Sequence, residues 1–516
     1  MEILIGPILG FEDGDFYTCV VSTTEDKPLK WHFGDHEVDF EPIVKVSSGQ
    51  VWRAEIHRGK LVPDATGNVP YSVRLDSQPI PNAKKDAQWS FHVAGAAEKP
   101  RIAYASCNGF HDPDEAGGRW TDLTTFKPLA MWERLADLHR KEPFSLLLMG
   151  GDQLYCDGVL RGETPNLHWL QKWHEDYDKP ENDKKTNVTP DQQASLAEFY
   201  DRQYRLSWVG KKKRGYFGAM IDMMASIPSV MMWDDHDIFD GWGSYPSGIE
   251  QRPVFQAVFA EARRHFEIYQ MRSLKNRSLL TRDGSSYTLG FRFRNYTILV
   301  MDNRTERTPT RIISDATWKN TLVPWLNNRP PGESDHLILL SGVPVVYRRF
   351  DVTSDILKAI PGHQEPEDDL IDHWSHKWHE GERSKLVQHL FRIVEEKAFR
   401  TACILSGDVH VGALGVLHHK KTGRKIPQII SSAIVNREPS WLQWVGLIAA
   451  STDDDFDIPA TDIRVTMEKP IQSDSKYIRA RNFVRLCEGT DGKVWSTWFV
   501  EGQQVCPEYP AAPLPA

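Results

Sequence analysis

The sequence has few cysteines and no excess of basic residues. Its six cysteines are scattered over 516 residues, and the lack of a Cys-x-x-Cys pair argues against a zinc cage or a dense disulfide framework. The 62 Lys and Arg residues against 71 Asp and Glu residues give a net charge of -9. This balance argues against general affinity for nucleic acids or anionic membranes, so we expect no nucleic-acid partner.

Long apolar runs are also missing. The first residues, MEILIGPILGFEDGD, lack the basic stretch followed by an apolar stretch that a signal peptide requires. No apolar run approaches the roughly 18 residues that a membrane-spanning helix needs. The sequence as written therefore predicts a cytoplasmic protein without a membrane span.

The chain divides into three parts by its pattern. Residues 1–98 hold short β-rich runs separated by Gly, Pro, Asp and Asn, which predicts a small β-sandwich domain. In residues 99–460, compact apolar runs alternate with helix-period segments such as 254–271 and 382–398, which is typical of an α/β domain. Residues 461–516 form a C-terminal extension, in which NFVRLCEGTDGKVWSTWFVEG predicts a β-hairpin about a Thr-Asp-Gly turn.

Polar clusters follow the apolar runs of the middle part. SLLLMG is followed by GDQLYCDG, SVMMW by DDHD, TILVM by DNRTER, ACILSG by DVHVG, and RIAYAS by Cys107. In an open α/β sheet, ligands bind in a crevice at the carboxyl ends of the strands. We therefore expect these clusters to form one site, and the alternative is a set of unrelated surface loops.

The stretch MMWDDHDIFDGWG, residues 231–243, places five ionisable side chains in seven positions. Neighbouring carboxylates repel one another and lose hydration when they are gathered, unless a cation or a proton-transfer task requires them. A metal site is the first hypothesis. The alternative is a solvated acidic loop.

The residue types in these clusters favour two different cations. Asp152 is a natural bridging carboxylate, whereas Tyr155 supplies a phenolate only to a strongly Lewis-acidic ion, because free tyrosine titrates near ~10. A phenolate together with a thiolate favours a trivalent or otherwise strongly polarising ion such as iron. The oxygen-rich set of Asp234, Asp235 and Asp408 suits calcium, manganese or magnesium. Such paired cations predict metal-assisted hydrolysis of phosphoesters.

Five segments resemble, in this order, the PhoD-like branch of the calcineurin-like metallophosphoesterases, also called alkaline phosphatase D: ASCN, GGDQLYCDG, WDDHDIFDGWG, DNRTER and LSGDVHVGAL. The resemblance covers residues 99–460. It implies a metallophosphoesterase fold of two packed β-sheets flanked by helices, with a small N-terminal β-sandwich domain. It also implies iron, as Fe3+, paired with a divalent ion, calcium in the first place and otherwise manganese or magnesium.

The resemblance further implies roles for particular residues. It makes Asp152 the bridge between the ions, while Asp234 supports or shares one of them. His236, oriented by Asp237, is implied as the general acid for the leaving group or as the stabiliser of the bound phosphate. The implied metal ligands are Cys107, Asp152, Tyr155, Asp234, Asp235, Asp408 and His410.

Arg304 and Arg307 are expected to bind the substrate, because an arginine fork matches phosphate oxygens. The alternative is that they have carboxylate partners within the fold. The sequence departs from the superfamily where VPVVYRR follows LILLSG, since the expected isolated ligand histidine is missing there. This departure favours oxygen-rich coordination. Many relatives also carry a twin-arginine export signal, which this sequence does not show.

The resemblance implies hydrolysis of small phosphoesters, mono- or diesters, by a metal-activated water and without a covalent enzyme intermediate. A dedicated phosphodiesterase or phosphotriesterase is an alternative. An alternative of a different class is a non-catalytic protein that holds metal and phosphorylated ligands. A protein of that kind is expected to lose His236 or the bridging aspartate, and this sequence has both.

Overall fold

Two large β-sheets pack against each other in this computed structural model, and helices pack against both of them. The described residues are 1–109, 127–161, 164–175, 187–211, 215–245, 248–328, 336–347, 374, 376–396, 399–407, 409–438 and 455–511. The predicted α/β class is confirmed.

The strands are spread along the whole chain. In chain order, the first half comprises β1 (Ile3–Glu12), β2 (Phe16–Thr23), β3 (Lys30–Phe33), β4 (His36–Asp39), β5 (Glu41–Val46), β6 (Gly49–His57), β7 (Asn68–Leu75), β8 (Gln78–Pro79), β9 (Trp89–His92), β10 (Ile102–Ala105), β11 (Leu146–Gly150), β12 (Gly210–Lys211) and β13 (Gly215–Tyr216). The remaining strands are β14 (Ser229–Met232), β15 (Leu289–Phe293), β16 (Tyr296–Met301), β17 (His336–Ser341), β18 (Thr401–Ser406), β19 (Gly412–His419), β20 (Lys425–Ile430), β21 (Asp455–Asp457), β22 (Ile463–Glu468), β23 (Tyr477–Ile478), β24 (Asn482–Glu488), β25 (Val494–Val500) and β26 (Glu508–Ala511).

The helices lie mainly between the strands. They are α1 (Ala130–Lys141), α2 (Gly158–Arg161), α3 (His168–Glu175), α4 (Pro190–Trp208), α5 (Gly218–Ser226), α6 (Pro253–Tyr269), α7 (Asp315–Thr317), α8 (Val323–Asn328) and α9 (Glu380–Glu396). The helices predicted over 254–271 and 382–398 correspond to α6 and α9, with ends that differ by one or two residues.

The first sheet has, within the described residues, ten strands in the order β26-β25-β24-β10-β11-β14-β1-β2-β6-β5. Its central neighbours β10, β11, β14 and β1 pair in parallel. The second sheet runs β15-β16-β17-β18-β20-β19-β22-β21, and β23 pairs with β19. In it, β16, β17, β18 and β20 pair in parallel. Parallel neighbours end at the same edge of a sheet, so the loops after these strands lie together.

Both faces of the second sheet are buried at strands β16, β17 and β18, which explains the unbroken apolar runs there. On β16, Ile298 and Val300 belong to the core between the two sheets. Leu299 and Met301 belong to a second core that also contains side chains of helices α8 and α9. Successive side chains of a strand point to opposite faces, so one strand contributes to both cores.

The amino-terminal strands continue the first sheet. Strand β1 pairs in parallel with β14 through Gly10 and Ser229, and β2, β6 and β5 extend the sheet beyond it. A smaller sheet holds β4, β3, β7 and β8, with β9 paired to β7. Sheet pairing therefore crosses residue 98. The division into 1–98, 99–460 and 461–516 stays a prediction.

The carboxy-terminal strands also belong to the main sheets. Strand β22 pairs with β19 in the second sheet, and β24 pairs with β10 in the first. The predicted hairpin is confirmed, because β24 and β25 pair antiparallel about residues 489–492. Trp498 on β25 donates a hydrogen bond to the Ile430 carbonyl of the second sheet at 2.9 Å, which links the two sheets.

Candidate metal centre

The loops after β10 and β11 bring two predicted ligands side by side. Cys107 and Asp152 both have left-handed backbone conformations, with φ of 51° and 52°, which are uncommon for residues other than glycine. The two loops hold each other, since Cys107 N–H donates to Gly151 O at 3.2 Å and Asn108 N–H donates to Asp152 O at 2.7 Å. The strained turns therefore fix both side chains at the carboxyl edge of the first sheet.

One set of candidate ligands combines sulfur, oxygen and nitrogen. Potential ligand atoms of Cys107, Asp152 and His410 all lie within 4.8 Å of one another. The distance from Cys107 Sγ to Asp152 Oδ2 is 3.5 Å. The Tyr155 hydroxyl lies 2.9 Å from His410 Nε2. We call these four residues the sulfur group. The predicted convergence of Cys107, Asp152, Tyr155 and His410 is thus present in the structure.

A second set shares Asp152 with the first. Potential ligand atoms of Asp152, Asp235 and His236 also lie within 4.8 Å of one another, and we call these three the carboxylate group. Asp152 is 1% exposed, and its Oδ1 has no hydrogen-bond partner among the described residues. Asp152 is thus a buried carboxylate that belongs to both groups and has an unsatisfied oxygen, which fits a carboxylate shared between two cations.

The protonation of these groups depends on their burial. Burial raises the pKa of Asp152 well above its usual range; His236 opposes this rise, and Asp234, Asp235 and Asp237 add to it. Burial also raises the pKa of Tyr155, and Cys107 and Asp152 raise it further. Without positive charge, the protein therefore disfavours the ionised forms that bind metal. Cations at the two groups would reverse this preference, so these residues fit a pair of metal ions.

His236 is oriented by Asp157. Its Nδ1 lies 2.9 Å from Asp157 Oδ1, and its ring lies 4.3 Å from the ring of Tyr155, measured between centroids. Burial lowers the pKa of His236, but the Asp157 and Asp235 carboxylates outweigh burial and raise it well above its ordinary value. The sequence predicted Asp237 for the orienting role. The hydrogen bonds give that role to Asp157.

Asp237 instead joins two loops. Its carboxylate accepts hydrogen bonds from the backbone N–H groups of Gln153, Leu154 and Asp234, at 3.2, 3.1 and 2.9 Å. The Gln270 side chain donates a fourth at 2.8 Å. Burial raises the pKa of Asp237 to about 7, and these hydrogen bonds work in the opposite direction. Asp237 therefore positions the Asp152 and Asp234 loops rather than the ring of His236.

Arg304 has the carboxylate partners that the sequence left as an alternative. Its side chain is fully buried and pairs with Asp234 through Nε and with Asp235 through Nη2, the latter at 3.3 Å. Nη1 also donates to Trp242 O at 2.9 Å. Arg304 therefore offsets the charge of the two aspartates. Contact between Arg304 and a substrate stays a prediction, as does a metal-ligand role for Asp234.

Arg307 is 4% exposed and packs beside Gly243. A Cβ at Gly243 would lie 2.5 Å from the Arg307 side chain, and the backbone there has φ of 97°. Glycine is therefore required at this position for Arg307 to keep its place. Substrate binding by Arg307 stays a prediction. Asp408 lies outside the described residues.

Sequence reasoning missed two residues of the centre. Asp157 lies within the segment GGDQLYCDG, two positions after Tyr155, so its carboxylate was visible as a candidate. Asn436 had no such signal, because its position follows from long-range pairing. Its N–H donates to Cys107 O at 3.3 Å, and a hydrogen bond with its side chain lowers the pKa of Tyr155.

The carboxy-terminal strands support the Asn436 loop from behind. Asn482 N–H donates to Ala433 O at 3.2 Å. The buried guanidinium of Arg481 lies 3.4 Å from Val435 O and donates to the carbonyl oxygens of Pro128 and Lys127 at 2.8 and 2.7 Å. The loop that contacts Cys107 is therefore held by residues much later in the chain.

The chain matches a known protein family over most of its length. A family model described as PhoD related phosphatase matches residues 85–365 and 359–480 of the chain. Among curated proteins, the chain is similar to the uncharacterized protein YGR266W of Saccharomyces cerevisiae, with 26% identity over 532 residues. The alignment with YGR266W covers 85% of this chain and 73% of the yeast protein.

Solved structures show the same fold. The structure of PhoD matches with a TM-score of 0.57 and 14% identity, over 98% of this chain and 89% of that chain. The purple acid phosphatase PPD1 from seeds of yellow lupin (Lupinus luteus) matches with a TM-score of 0.50 and 10% identity, over 98% of this chain and 73% of that chain.

Among the described residues, no helix combines the length and apolar character that crossing a membrane requires.

Proposed function

Because the chain belongs to the family of PhoD-related phosphatases, we propose that this centre hydrolyses small phosphoesters, mono- or diesters, with two cations bound around Asp152. The observation that carries the proposal is that two groups of candidate ligands share one buried carboxylate. Paired cations with a shared carboxylate are the usual device for displacement at phosphorus.

We assign a different ion to each group. Cys107, Tyr155 and His410 would hold iron with Asp152, because thiolate and phenolate ligands favour a strongly polarising ion. Asp152 and Asp235, with Asp234 and Asp408 as further oxygen donors, would hold calcium, manganese or magnesium. When bound, such ions supply Lewis acidity toward phosphoryl oxygens and lower the pKa of water.

We assign His236, the third residue of the carboxylate group, to proton donation rather than to metal binding. Asp157 accepts from Nδ1, which leaves Nε2 as the nitrogen available to a leaving-group oxygen. The carboxylates around His236 favour its protonated form, and a general acid must carry its proton into the reaction. In this scheme Asp157 keeps the ring in one orientation, and no side chain forms a covalent bond to phosphorus.

The test combines metal content with turnover. Elemental mass spectrometry on the purified protein is paired with hydrolysis of 4-nitrophenyl phosphate and bis(4-nitrophenyl) phosphate, before and after chelation. We expect iron and one divalent ion per chain, and hydrolysis that stops on chelation and returns when the ions are restored. His236→Asn is the matched variant, expected to retain both ions and lose turnover.

Three other outcomes would change the assignment. Hydrolysis of the diester alone would favour a dedicated phosphodiesterase, and hydrolysis of a triester a phosphotriesterase. Bound metal without hydrolysis of any ester, after calcium and manganese are added back, would contradict the enzymatic proposal. That result would favour a protein that binds phosphorylated ligands through its metals.

A further inference from the structure

A carboxylate without an assigned role lies beside the substrate-facing nitrogen of His236. Asp240 Oδ1 is 4.0 Å from His236 Nε2. Since Nδ1 is engaged by Asp157 at 2.9 Å, Nε2 is the edge of the ring that can meet a leaving group. Asp240 belongs to neither group of candidate metal ligands. Its charge therefore acts next to the place where the reacting phosphoester would lie.

The position of Asp240 is fixed by its own backbone. Its N–H donates to Asp157 Oδ1 at 2.9 Å, the same oxygen that engages His236. Its carbonyl accepts a hydrogen bond from the Tyr245 hydroxyl at 3.3 Å. Asp157 thus holds both His236 and the backbone of Asp240, which keeps the Asp240 side chain near the imidazole.

The residues of the centre differ in the exposed fraction of their side chains. Cys107, Asp152, Tyr155 and Asp235 are at most 2% exposed. By contrast, the side chains of His236 and Asp240 are 12% and 25% exposed. His236 and Asp240 are therefore the more solvent-exposed residues in this part of the centre. A phosphoester that reaches His236 Nε2 must therefore approach the Asp240 carboxylate.

We propose that Asp240 sets the charge class of the substrate. A phosphate monoester carries two negative charges above its second ionisation, whereas a diester carries one. Asp240 repels each additional charge and therefore biases the centre toward monoanionic phosphodiesters. A unit charge roughly 6 Å from the phosphate changes the affinity for each additional substrate charge by about tenfold, if the effective dielectric constant lies between that of a protein surface and that of water. The proposal rests on the proposed phosphoesterase function.

The test compares two substrates that differ by one charge. 4-Nitrophenyl phosphate and 4-nitrophenyl methylphosphonate share a leaving group and have similar shapes, but above the second ionisation of the monoester only the former is a dianion. In Asp240→Asn, the kcat/KM ratio of phosphate to methylphosphonate should rise about tenfold through a lower KM for the dianion. Asp240→Glu, which keeps the charge, should stay near the wild-type ratio.

A binding measurement makes the test independent of turnover. Calorimetric titration of the metal-loaded wild type and Asp240→Asn with inorganic phosphate should show about tenfold tighter binding to the variant. Elemental analysis should show equal metal content in the two proteins. If the wild type hydrolyses no ester, the proposed function fails, and this titration still decides the role of Asp240.

Two results would overturn the proposal. One is an unchanged substrate ratio and unchanged phosphate affinity in Asp240→Asn with full metal content. The other is an equal loss of both activities together with loss of metal, which would make Asp240 a structural part of the centre. The Asp240→Glu variant separates loss of charge from loss of fold, because it preserves the carboxylate.

Discussion

The sulfur group and the carboxylate group meet at Asp152 but are prepared for cations in different ways. In the carboxylate group, Asp235 already has a buried countercharge in Arg304. In the sulfur group, a thiol and a phenol must lose protons before they bind an ion, and burial raises the pKa of Tyr155. Asp235 therefore has a fixed positive charge beside it before any cation binds, whereas the thiol and phenol of the sulfur group would be ionised only together with ion binding. Metal uptake by the sulfur group should weaken as pH falls.

Removing the shared residue should break both groups at once. Asp152→Asn leaves one neutral oxygen in place of the bridging carboxylate, so we expect loss of both ions and a fall in kcat of ~1000-fold or more, equivalent to several kcal/mol. Elemental analysis and nitrophenyl ester hydrolysis measure the two effects. Thermal unfolding of the metal-free proteins is the control, because the buried charge lost in the variant should leave its Tm equal or higher. Retention of both ions and full rate would contradict the two-cation arrangement.

Removing Arg304, the buried countercharge of the carboxylate group, should lower the stability of the protein. Arg304→Gln leaves Asp234 and Asp235 without their buried partner, which should destabilise the metal-free protein by about 3–5 kcal/mol. Denaturant unfolding measures this loss, and adding a divalent ion should recover part of it. Arg304→Lys is the matched control and should lose less. An equal loss with and without the divalent ion would show that the cation does not share this charge balance.

Single ligand changes should separate the two groups. Cys107→Ser should weaken iron binding by ~10-fold or more while the divalent ion is retained, and Asp235→Asn should do the reverse. Elemental analysis of both variants after dialysis gives the answer. If each variant lost both ions in equal proportion, the assignment of one ion to each group would be wrong.

The smallest effect should distinguish the two candidate partners of His236. Asp157→Asn should lower kcat by about 10-fold with little change in metal content, since it disturbs the orientation of the proton donor. Asp237→Asn should instead lower stability by about 1–3 kcal/mol, because it replaces one of the two carboxyl oxygens that accept hydrogen bonds from buried N–H groups. Steady-state kinetics and denaturant unfolding on both variants measure the split. A larger fall in kcat for Asp237→Asn at full folding would restore the role predicted from the sequence.

The sequence was informative where local chemistry sufficed. Residues directly after the ends of β10 and β11 had to meet, because parallel neighbours end at one edge, and Cys107 and Asp152 do so. His410 also lies at the centre, but it follows a strand of the second sheet, so its place was implied by the family resemblance rather than by strand pairing. The apolar runs and the carboxy-terminal hairpin were predicted for the same reason: their signals lie within a few consecutive residues.

The orientation of side chains could not be predicted from the local sequence. Asp235 and Asp237 lie in the same short turn, yet one faces the candidate ligands and the other accepts backbone hydrogen bonds from the Asp152 loop. Which aspartate meets His236 depends on how that turn packs against Asp157, a contact across 79 positions. Sheet pairing has the same limit. The pairing of β1 with β14 leaves no mark in either segment alone.

The support of the Asn436 loop by Arg481 and Asn482 has a consequence for biosynthesis. A ribosome produces Cys107 and Asp152 long before it produces the strand that pairs with β10 and the residues that hold the loop behind Cys107. A cation that bound to the nascent chain would therefore contact Cys107 and Asp152 before Arg481 and Asn482 hold the adjacent Asn436 loop in place. The sulfur group would therefore have its full set of supporting contacts only after strand β24 has left the exit tunnel.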